Sequence, residues 1–325
     1  MRSRAWRRGL VLAAFVGALL LAGVALGGWY FGGPLDRDAE FTVPEGASLT
    51  SAATALEKAG AIGSRRQFLL GAKLLGAGDG IQAGEFLLPA GASGATILDI
   101  LQHGQPLRRL VTVPEGMPSI LVWEKLKAEP LLTGDIAIPA EGSILPDSYD
   151  FRRGEPRAAV LARMQAAMRD YLAKAWAARK PTSVVKTPQE AITLASVVEK
   201  ETGKASERPM VAGVLSNRVR IGMMLGADAT TIYPITRGKP LGRMIRVSEL
   251  RDRNPYNTRA IAGLPVGPIT NPGREAIAAV LDPAATKALY YVADGTGGHA
   301  FAETLAQHNA NAEKWRALRR ARGEM

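Results

Sequence analysis

The feature that most constrains how this chain folds is an uncharged, mostly apolar run at residues 10–31. Its 22 residues are enough to cross a bilayer as one helix. Four arginines among the first eight residues precede it, so the positive-inside rule predicts a cytoplasmic tip at 1–9 and an extracytoplasmic remainder. A cleaved signal peptide is the alternative, because small residues at 22–28 suit a signal peptidase. Since the run is long for a signal peptide, the sequence favours a single-pass membrane anchor.

The composition of the whole chain narrows its class and its partners. With 325 residues, 47% of them hydrophobic and 22% charged, the chain has the make-up of a folded protein of about two domains. It contains no cysteine, which excludes disulfides, thiolate zinc sites and a lipoprotein anchor. The net charge of +11 suits an acidic partner such as anionic lipid or a carboxylate-bearing polymer. No dense basic tract is interleaved with aromatic residues, so a nucleic-acid partner is not expected.

One short pattern recurs along the first half of the chain. The sequence reads TVPEG at 42–46, LPAG at 88–91 and TVPEG again at 112–116, and each is followed by apolar residues at helical spacing. This order of extended segment, turn and helix predicts an α+β fold. Residues 40–110 resemble a LysM-like β-α-α-β subdomain, a module that holds glycan chains, although a generic α+β spacer fits equally well. Residues 111–325 are then predicted to form a mixed α/β domain built around a glutamate-bearing helix.

The glutamate-bearing helix is predicted from the segment LASVVEKETG at 194–203. Thr187 is a plausible N-cap, followed by a proline that suits the first turn, and Ser206 can cap the next helix. Two carboxylates one residue apart, Glu199 and Glu201, must point to nearly opposite sides of a helix. Glu201 continues the apolar stripe, while Glu199 continues a smaller and more polar face. A carboxyl group on an apolar face is poorly hydrated, which raises its pKa and prepares it as a general acid. The competing interpretation is a solvated Glu201 beside Lys200 and Lys204.

The C-terminal third is rich in loops and carries two of the three histidines. The segments GADATTIY, NPYNT and GLPVGPITNPG contain Asn, Thr and Tyr, which hydrogen-bond neutral hydroxyls as a sugar site requires, although ordinary turn chemistry also explains them. A hairpin is predicted at 290–301, and a last helix from Thr304. His299 and His308 lie close together in sequence, but no HExxH spacing or thiolate accompanies them. No metal or other cofactor is therefore expected.

Taken together, these motifs resemble one family, the membrane-anchored endolytic murein transglycosylases of the YceG-like type. The match extends from about residue 141 to 309, and the anchor and LysM-like region also agree in position. The matching segments are, in order, LPDSYDF, LASVVEKET, ASERPMVAGVLSNRVRIGM, DATTIY, NPYNT, GLPVGPITNPG, YYVADGTGGHAF and HN. Ala229, Arg259 and Val266 depart from the family pattern. Arg259 stands where a tyrosine is common, and it lies beside the expected substrate loop.

The resemblance implies an activity and a set of site residues. Its catalytic glutamate falls on Glu201, the residue that the helical pattern also selects. The implied reaction cleaves the β-1,4 bond between N-acetylmuramic acid and N-acetylglucosamine inside peptidoglycan strands and leaves a 1,6-anhydro end. The resemblance also implies a role in ending strand elongation, alongside the cell-wall synthesis machinery. The residues expected to bind substrate are Asn217, Asp228, Tyr256, Asn257, Thr258, His299, Phe301, His308 and Asn309.

Two functions of other classes stay open on the sequence. A hydrolytic muramidase needs a second carboxylate to activate water, and Asp228 or Asp147 is a candidate. A non-catalytic wall-binding membrane protein needs only the LysM-like module, with Glu201 in a structural role. The chemistry of the released glycan ends separates these readings from the transglycosylase.

Overall fold

The computed structural model describes residues 15–16, 29–76 and 78–324. The chain divides into two compact units, Met1–Arg109 and Leu110–Met325. Within the described residues, no helix is both long enough and apolar enough to cross a membrane. Most of the predicted span at 10–31 lies outside these residues, so the anchor stays a prediction.

The first unit follows a β-α-α-β-α order. Its strands pair antiparallel, with Phe41 opposite Phe86. Each helix begins after a serine, Ser48, Ser64 or Ser93, whose hydroxyl accepts a backbone N–H in the first turn. These caps satisfy N–H groups that lack helical partners. The elements are β1 (Ala39–Val43), α1 (Leu49–Lys58), α2 (Arg65–Leu75), β2 (Gly84–Leu88) and α3 (Gly94–His103).

The recurring Pro/Gly segments lie where the sequence predicts turns. The first TVPEG segment ends β1, LPAG follows β2, and each leads into a helix. Gly46 and Gly91 adopt positive φ angles of 73° and 67°, which glycine tolerates and other residues rarely adopt. Phe86, Leu56 and Ile97 are fully buried in the core of this unit.

The second unit is mostly helical, with two separate strand pairs. β3 pairs with β4, and β5 pairs with β6. Its elements are β3 (Arg109–Thr112, which starts at the unit boundary), α4 (Ser119–Ala128), β4 (Ser148–Phe151), α5 (Arg157–Ala177), α6 (Pro188–Glu201), α7 (Arg208–Arg220), α8 (Asp228–Thr236), α9 (Val247–Arg251), α10 (Arg274–Leu281), β5 (Tyr290–Ala293), β6 (His299–Ala302) and α11 (Leu305–Ala321).

Helix α6 forms the centre of the second unit. Every residue from 191 to 198 is buried, and Leu194, Val197 and Val198 have no exposed surface. These side chains belong to a core that also contains residues of α7 and α10. Ser196 accepts a hydrogen bond from the backbone N–H of Ile269 at 3.0 Å, which ties the loop before α10 to the helix. The helix is thus held on all sides, and its C-terminal residue is Glu201.

Local predictions from the sequence agree with the structure, with one exception. Thr187 caps α6 through a 3.1 Å hydrogen bond from the N–H of Glu190, and Thr304 caps α11 with a capping box. The expectation that Ser206 caps the next helix is wrong. Ser206 lies inside a short 3-10 turn, Ala205–Glu207, which runs directly into α7. Because the turn joins the helix without a break, no serine cap forms there.

Candidate active site

Glu201 is the last residue of α6, and Thr202 leaves the helix in an extended conformation. Its carboxylate therefore projects from the end of the helix, beside the β5–β6 hairpin. Tyr291 on β5 donates a hydrogen bond from its hydroxyl to Oε2 of Glu201 at 2.6 Å. Burial raises the pKa of Tyr291 well above its usual value, so this residue stays a protonated donor. The second oxygen of Glu201, Oε1, is left to carry an acidic proton.

The electrostatic environment of Glu201 favours its neutral form. Burial is the largest influence and raises the pKa of Glu201 above its ordinary value. The Tyr291 hydrogen bond lowers the pKa of Glu201, the negative charge of Asp228 raises it, and the positive charges of Arg259 and of His299, when its ring is protonated, lower it. A carboxyl group with a raised pKa can donate a proton at neutral pH. The interpretation of Glu201 as a solvated residue paired with lysine is therefore not supported: among the described residues its hydrogen-bond partner is Tyr291.

Glu199 has a different environment, although it lies only two residues away. Its side chain is 5% exposed, and its oxygens accept hydrogen bonds from Arg208 at 3.0 Å and from the N–H of Gly273 at 2.8 Å. Arg208 also pairs with Glu115 and Glu275. The face that leads to Glu199 is smaller and contains a serine, as expected, but it is buried rather than hydrated, since Ile192, Ala195 and Ser196 are all buried. A charged partner, not hydration, distinguishes Glu199 from Glu201.

The β5–β6 hairpin brings an aromatic group to Glu201. In its antiparallel register Tyr291 lies opposite Phe301, and His299 lies opposite Ala293, so these side chains share one face. The ring of Tyr291 is 5.3 Å from that of His299, in an edge-on arrangement, and 6.2 Å from that of Phe301. The guanidinium of Arg218 lies 5.9 Å from the Tyr291 ring. The predicted residues His299 and Phe301 are thus brought together near Glu201, along with Tyr291, which the sequence reading did not select as a site residue.

Glu207 contacts the predicted residue His299, although no sequence pattern singled out Glu207. Its carboxylate accepts hydrogen bonds from the backbone N–H of His299 at 3.0 Å and from the Nδ1 of His299 at 2.8 Å. Although burial raises the pKa of Glu207, the hydrogen bonds from His299 outweigh burial and lower it. Glu207 and His299 are 92 residues apart, so no local sequence pattern indicates that they meet.

Asp228 lies at the first turn of α8 and forms an ion pair with Arg259. Both side chains are substantially exposed, and both act electrostatically on Glu201. Arg259, the main departure from the family pattern, therefore provides the counter-charge of a predicted site residue. Asp147 is instead bonded to Arg274 at 2.8 Å, and Arg274 is the main cause of its lowered pKa. Of the two candidate second carboxylates, the structure brings Asp228 to Glu201.

Three of the predicted substrate-binding residues have their polar atoms engaged in the protein. The buried amide of Asn257 donates to three backbone carbonyls between 249 and 252 and accepts from Thr231. The hydroxyl of Thr258 is bonded to that of Thr230 at 2.8 Å. Asn217 donates to the carbonyls of Thr286 and Ala288, which precede β5. These bonds hold loops in place around the site.

The remaining predicted residues lie at the periphery. Tyr256 packs against Tyr233 with ring centroids 4.8 Å apart. His308 on α11 stacks on Tyr290 at 5.3 Å, and burial lowers its pKa. Because Tyr290 and Tyr291 are adjacent on a strand, His308 packs on the opposite face of the hairpin from His299. Asn309 is exposed on the same helix. The structure therefore does not bring the two histidines together.

Comparison with known proteins finds relatives that share one name. An endolytic murein transglycosylase of Bacillus subtilis (strain 168) is 27% identical over 333 residues, covering 91% of each chain. A protein of the same name from Streptococcus pneumoniae (strain D39) is 27% identical over 318 residues, which cover 83% of this chain and 57% of that relative. This chain thus spans a little over half of the streptococcal protein.

Structure and family comparisons agree with these relatives. The crystal structure of a YceG-like protein from Listeria monocytogenes has a TM-score of 0.52 and 23% identity, covering 84% of this chain and 98% of that chain, which shows a shared fold. The predicted mixture of helices and strands is therefore confirmed at the level of the fold. The model of the YceG-like family matches residues 41–314, which is most of the chain. The protein belongs to the YceG-like family.

Proposed function

We propose that this protein is an endolytic lytic transglycosylase that cleaves peptidoglycan glycan strands and leaves 1,6-anhydro-N-acetylmuramic acid ends. The observation that carries the proposal is the poorly hydrated carboxyl group of Glu201, held by Tyr291 and raised in pKa by burial. Relatives that are named endolytic murein transglycosylases support the same reaction class.

The reaction fits one carboxyl group. Glu201 donates its proton to the oxygen that leaves with N-acetylglucosamine, as the bond from C1 of the muramic acid to that oxygen breaks. The C6 hydroxyl of the same muramic acid attacks C1, and its proton passes to the Glu201 carboxylate. The nucleophile is tethered to the reacting carbon, so the attack gains a high effective molarity. Glu201 is protonated again at the end, and no water is consumed.

A hydrolytic muramidase is the second candidate, because Asp228 acts electrostatically on Glu201. Such an enzyme uses a second carboxylate to activate water. The ion pair between Asp228 and Arg259 argues against this role, since the carboxylate is already engaged by a guanidinium and would have to leave it to take a proton from water.

The two candidates differ in the oxygen found at the new glycan end. We expect reaction in heavy-oxygen water to give anhydro ends that are lighter than a hydrolytic end by one water and carry no label. A muramidase would give reducing ends with one labelled oxygen. Mass spectrometry of the released fragments measures both. Glu201→Gln is the matched control, and its preparation should release nothing above buffer; labelled reducing ends that vanish in this variant would refute the transglycosylase.

The finer features of the protein belong to the same proposal. Residues 10–31 anchor it in the inner membrane with an extracytoplasmic catalytic part, as the arginines before an apolar run of bilayer length suggest. The β-α-α-β elements of the first unit form a LysM-like module that holds glycan. The catalytic part ends strand elongation beside the synthesis machinery. N-terminal sequencing of the mature protein tests the anchor, and a chain beginning near residue 26 would contradict it.

A further inference from the structure

The carboxylate of Glu207 holds His299 at two points. Oε1 accepts the backbone N–H of His299 at 3.0 Å, and Oε2 accepts Nδ1 at 2.8 Å. The two side chains are 11% and 17% exposed, so these bonds lie mostly away from water. Lys204 lies 3.6 Å from the same carboxylate, and Thr202 donates to it at 3.4 Å. His299 is therefore fixed in both backbone position and ring orientation.

The contact determines which ring nitrogen of His299 is available. A carboxylate only accepts, so Nδ1 must carry the hydrogen, and Nε2 of a neutral ring then presents a lone pair. Among the described residues Nε2 has no protein hydrogen-bond partner. The ring lies edge-on to Tyr291, the residue that binds Glu201, at 5.3 Å. An open acceptor is thus placed beside the proposed proton donor.

Gly298 makes the close approach of the two residues possible. A Cβ atom at this position would lie 2.2 Å from Oε1 of Glu207, closer than real side chains come. Any larger residue would push the carboxylate away from His299. The contact between Glu207 and His299 therefore depends on glycine at position 298.

We propose that Glu207 is a positioning residue that holds His299 with Nε2 open to accept a hydrogen bond from a hydroxyl of the bound glycan. The inference rests on the proposed function, since it takes the glycan to bind beside Glu201. A carboxylate that accepts the hydrogen of one ring nitrogen fixes the tautomer and orientation of a histidine, as it does in metal sites and in serine-protease triads. In a purely structural alternative, the pair only ties the hairpin to the start of α7.

Two substitutions of His299 separate these roles. In His299→Asn the side-chain amide can occupy the position of Nδ1 and keep the bond to Glu207, but nothing reaches the position of Nε2. In His299→Gln the amide oxygen reaches the position of Nε2. We expect His299→Asn to keep the melting temperature and lose about tenfold or more in kcat/KM, as second-nitrogen contacts suggest, and His299→Gln to recover part of the loss. Full activity in His299→Asn would overturn the proposal.

A double-mutant cycle tests whether Glu207 acts through His299. We expect Glu207→Gln to lower kcat/KM about tenfold alone, and to have no further effect in the His299→Asn background. Glu313→Gln, at an exposed ion pair on α11, is the matched control and should leave activity unchanged. Effects of Glu207→Gln that are equal in both backgrounds would overturn the proposal.

A binding series keeps the inference separate from the catalytic proposal. The same variants are combined with Glu201→Gln, and the full-length chain in detergent is titrated with a tetrasaccharide of alternating N-acetylglucosamine and N-acetylmuramic acid. We expect His299→Asn to weaken binding and His299→Gln to restore part of it. Unchanged binding across the series would refute the hydroxyl contact. A wild-type chain that binds but forms no anhydro end would refute the transglycosylase reaction alone.

Discussion

At the scale of single residues, the site depends on two glutamates with opposite surroundings. Glu199 and Glu201 both extend from a buried helix, but Glu199 faces the cation Arg208 and Glu201 faces the neutral hydroxyl of Tyr291. A positive partner stabilises the charged form of a carboxyl group, whereas burial without one favours the neutral form. The same helix thus provides one carboxylate that is paired with a cation and one carboxyl group that is held by a neutral donor, which we propose to be the acid.

Replacing Glu199 by glutamine should affect stability more than chemistry. Glu199→Gln removes the most buried of the three carboxylates that pair with Arg208, and breaking a buried ion pair typically costs about 3 kcal/mol of folding stability. The amide oxygen can still accept the N–H of Gly273, so the fold should survive. We expect a clearly lower melting temperature, with substantial activity retained below it. Thermal melts and glycan cleavage of the same preparation measure both; complete inactivity in a folded variant would contradict this assignment.

The raised pKa of Glu201 makes stability depend on pH. Between the ordinary glutamate pKa and the raised one, the folded state binds more protons than the unfolded state, so stability falls as pH rises through this window. Glutamine does not ionise, so its stability is not lowered in this window, and it can still accept a hydrogen bond from the Tyr291 hydroxyl. We therefore expect Glu201→Gln to gain in melting temperature, relative to wild type, as pH rises. Glu313→Gln is the exposed control. If the melting temperatures of Glu201→Gln and wild type differed by the same amount at every pH, this would count against a raised pKa of Glu201.

The sequence predicted that burial raises the pKa of Glu201, and the structure agrees, but the sequence identified only part of the cause. The helical pattern identified the apolar stripe that buries it, because that pattern is local. It missed Tyr291, 90 residues away, and it treated the face of Glu199 as polar although that face is also buried. Partners that meet only in the folded chain leave no spacing signal, which is also why Glu207 was not found.

At the scale of elements, the site depends on how α7 presents the loop that leads into β5. Asn217 bonds to the carbonyls of Thr286 and Ala288, and Arg218 bonds to that of Leu289 at 2.6 Å. The helix therefore fixes the start of the strand that carries Tyr291. The helix caps and the hairpin were predictable from local chemistry, whereas this packing of loop against helix was not, because nothing in the sequence indicates which carbonyls Asn217 meets.

The close packing of α7 gives a prediction at Gly213. A Cβ atom there would lie 2.6 Å from the backbone oxygen of Ala284. Alanine gains about 1 kcal/mol of helix propensity over glycine, but overpacking against backbone costs about 1–3 kcal/mol. We expect Gly213→Ala to lower both the melting temperature and the activity, since the loop before β5 must shift. Gly63→Ala, which meets nothing within 4 Å, is the control; a more stable Gly213→Ala would show that the loop yields without cost.

At the scale of the whole molecule, two units with separate cores share one chain. Buried side chains of the first unit, such as Phe86 and Leu56, form one cluster, and those around α6 belong to another. Because each unit has a length typical of a domain and a core of its own, we expect each to fold by itself. The excess of 41 basic over 30 acidic residues suits a carboxylate-bearing wall polymer as the common ligand. We therefore expect binding and cleavage to be separable.

A chain that begins at residue 105 tests this separation. It keeps α6, the β5–β6 hairpin and both carboxylates, so we expect it to fold and to cleave a short tetrasaccharide with the kcat/KM of the full chain. On long strands the full chain gains from holding the same molecule at two places, which can strengthen binding by about a hundredfold without any new contact. Its KM should therefore be lower than that of the fragment on long strands only, as kinetics with size-fractionated glycan measure. The first unit alone, residues 29–109, is the matched control for this experiment. It should bind glycan strands without cleaving them. Equal KM values on long strands would show that the first unit does not hold glycan.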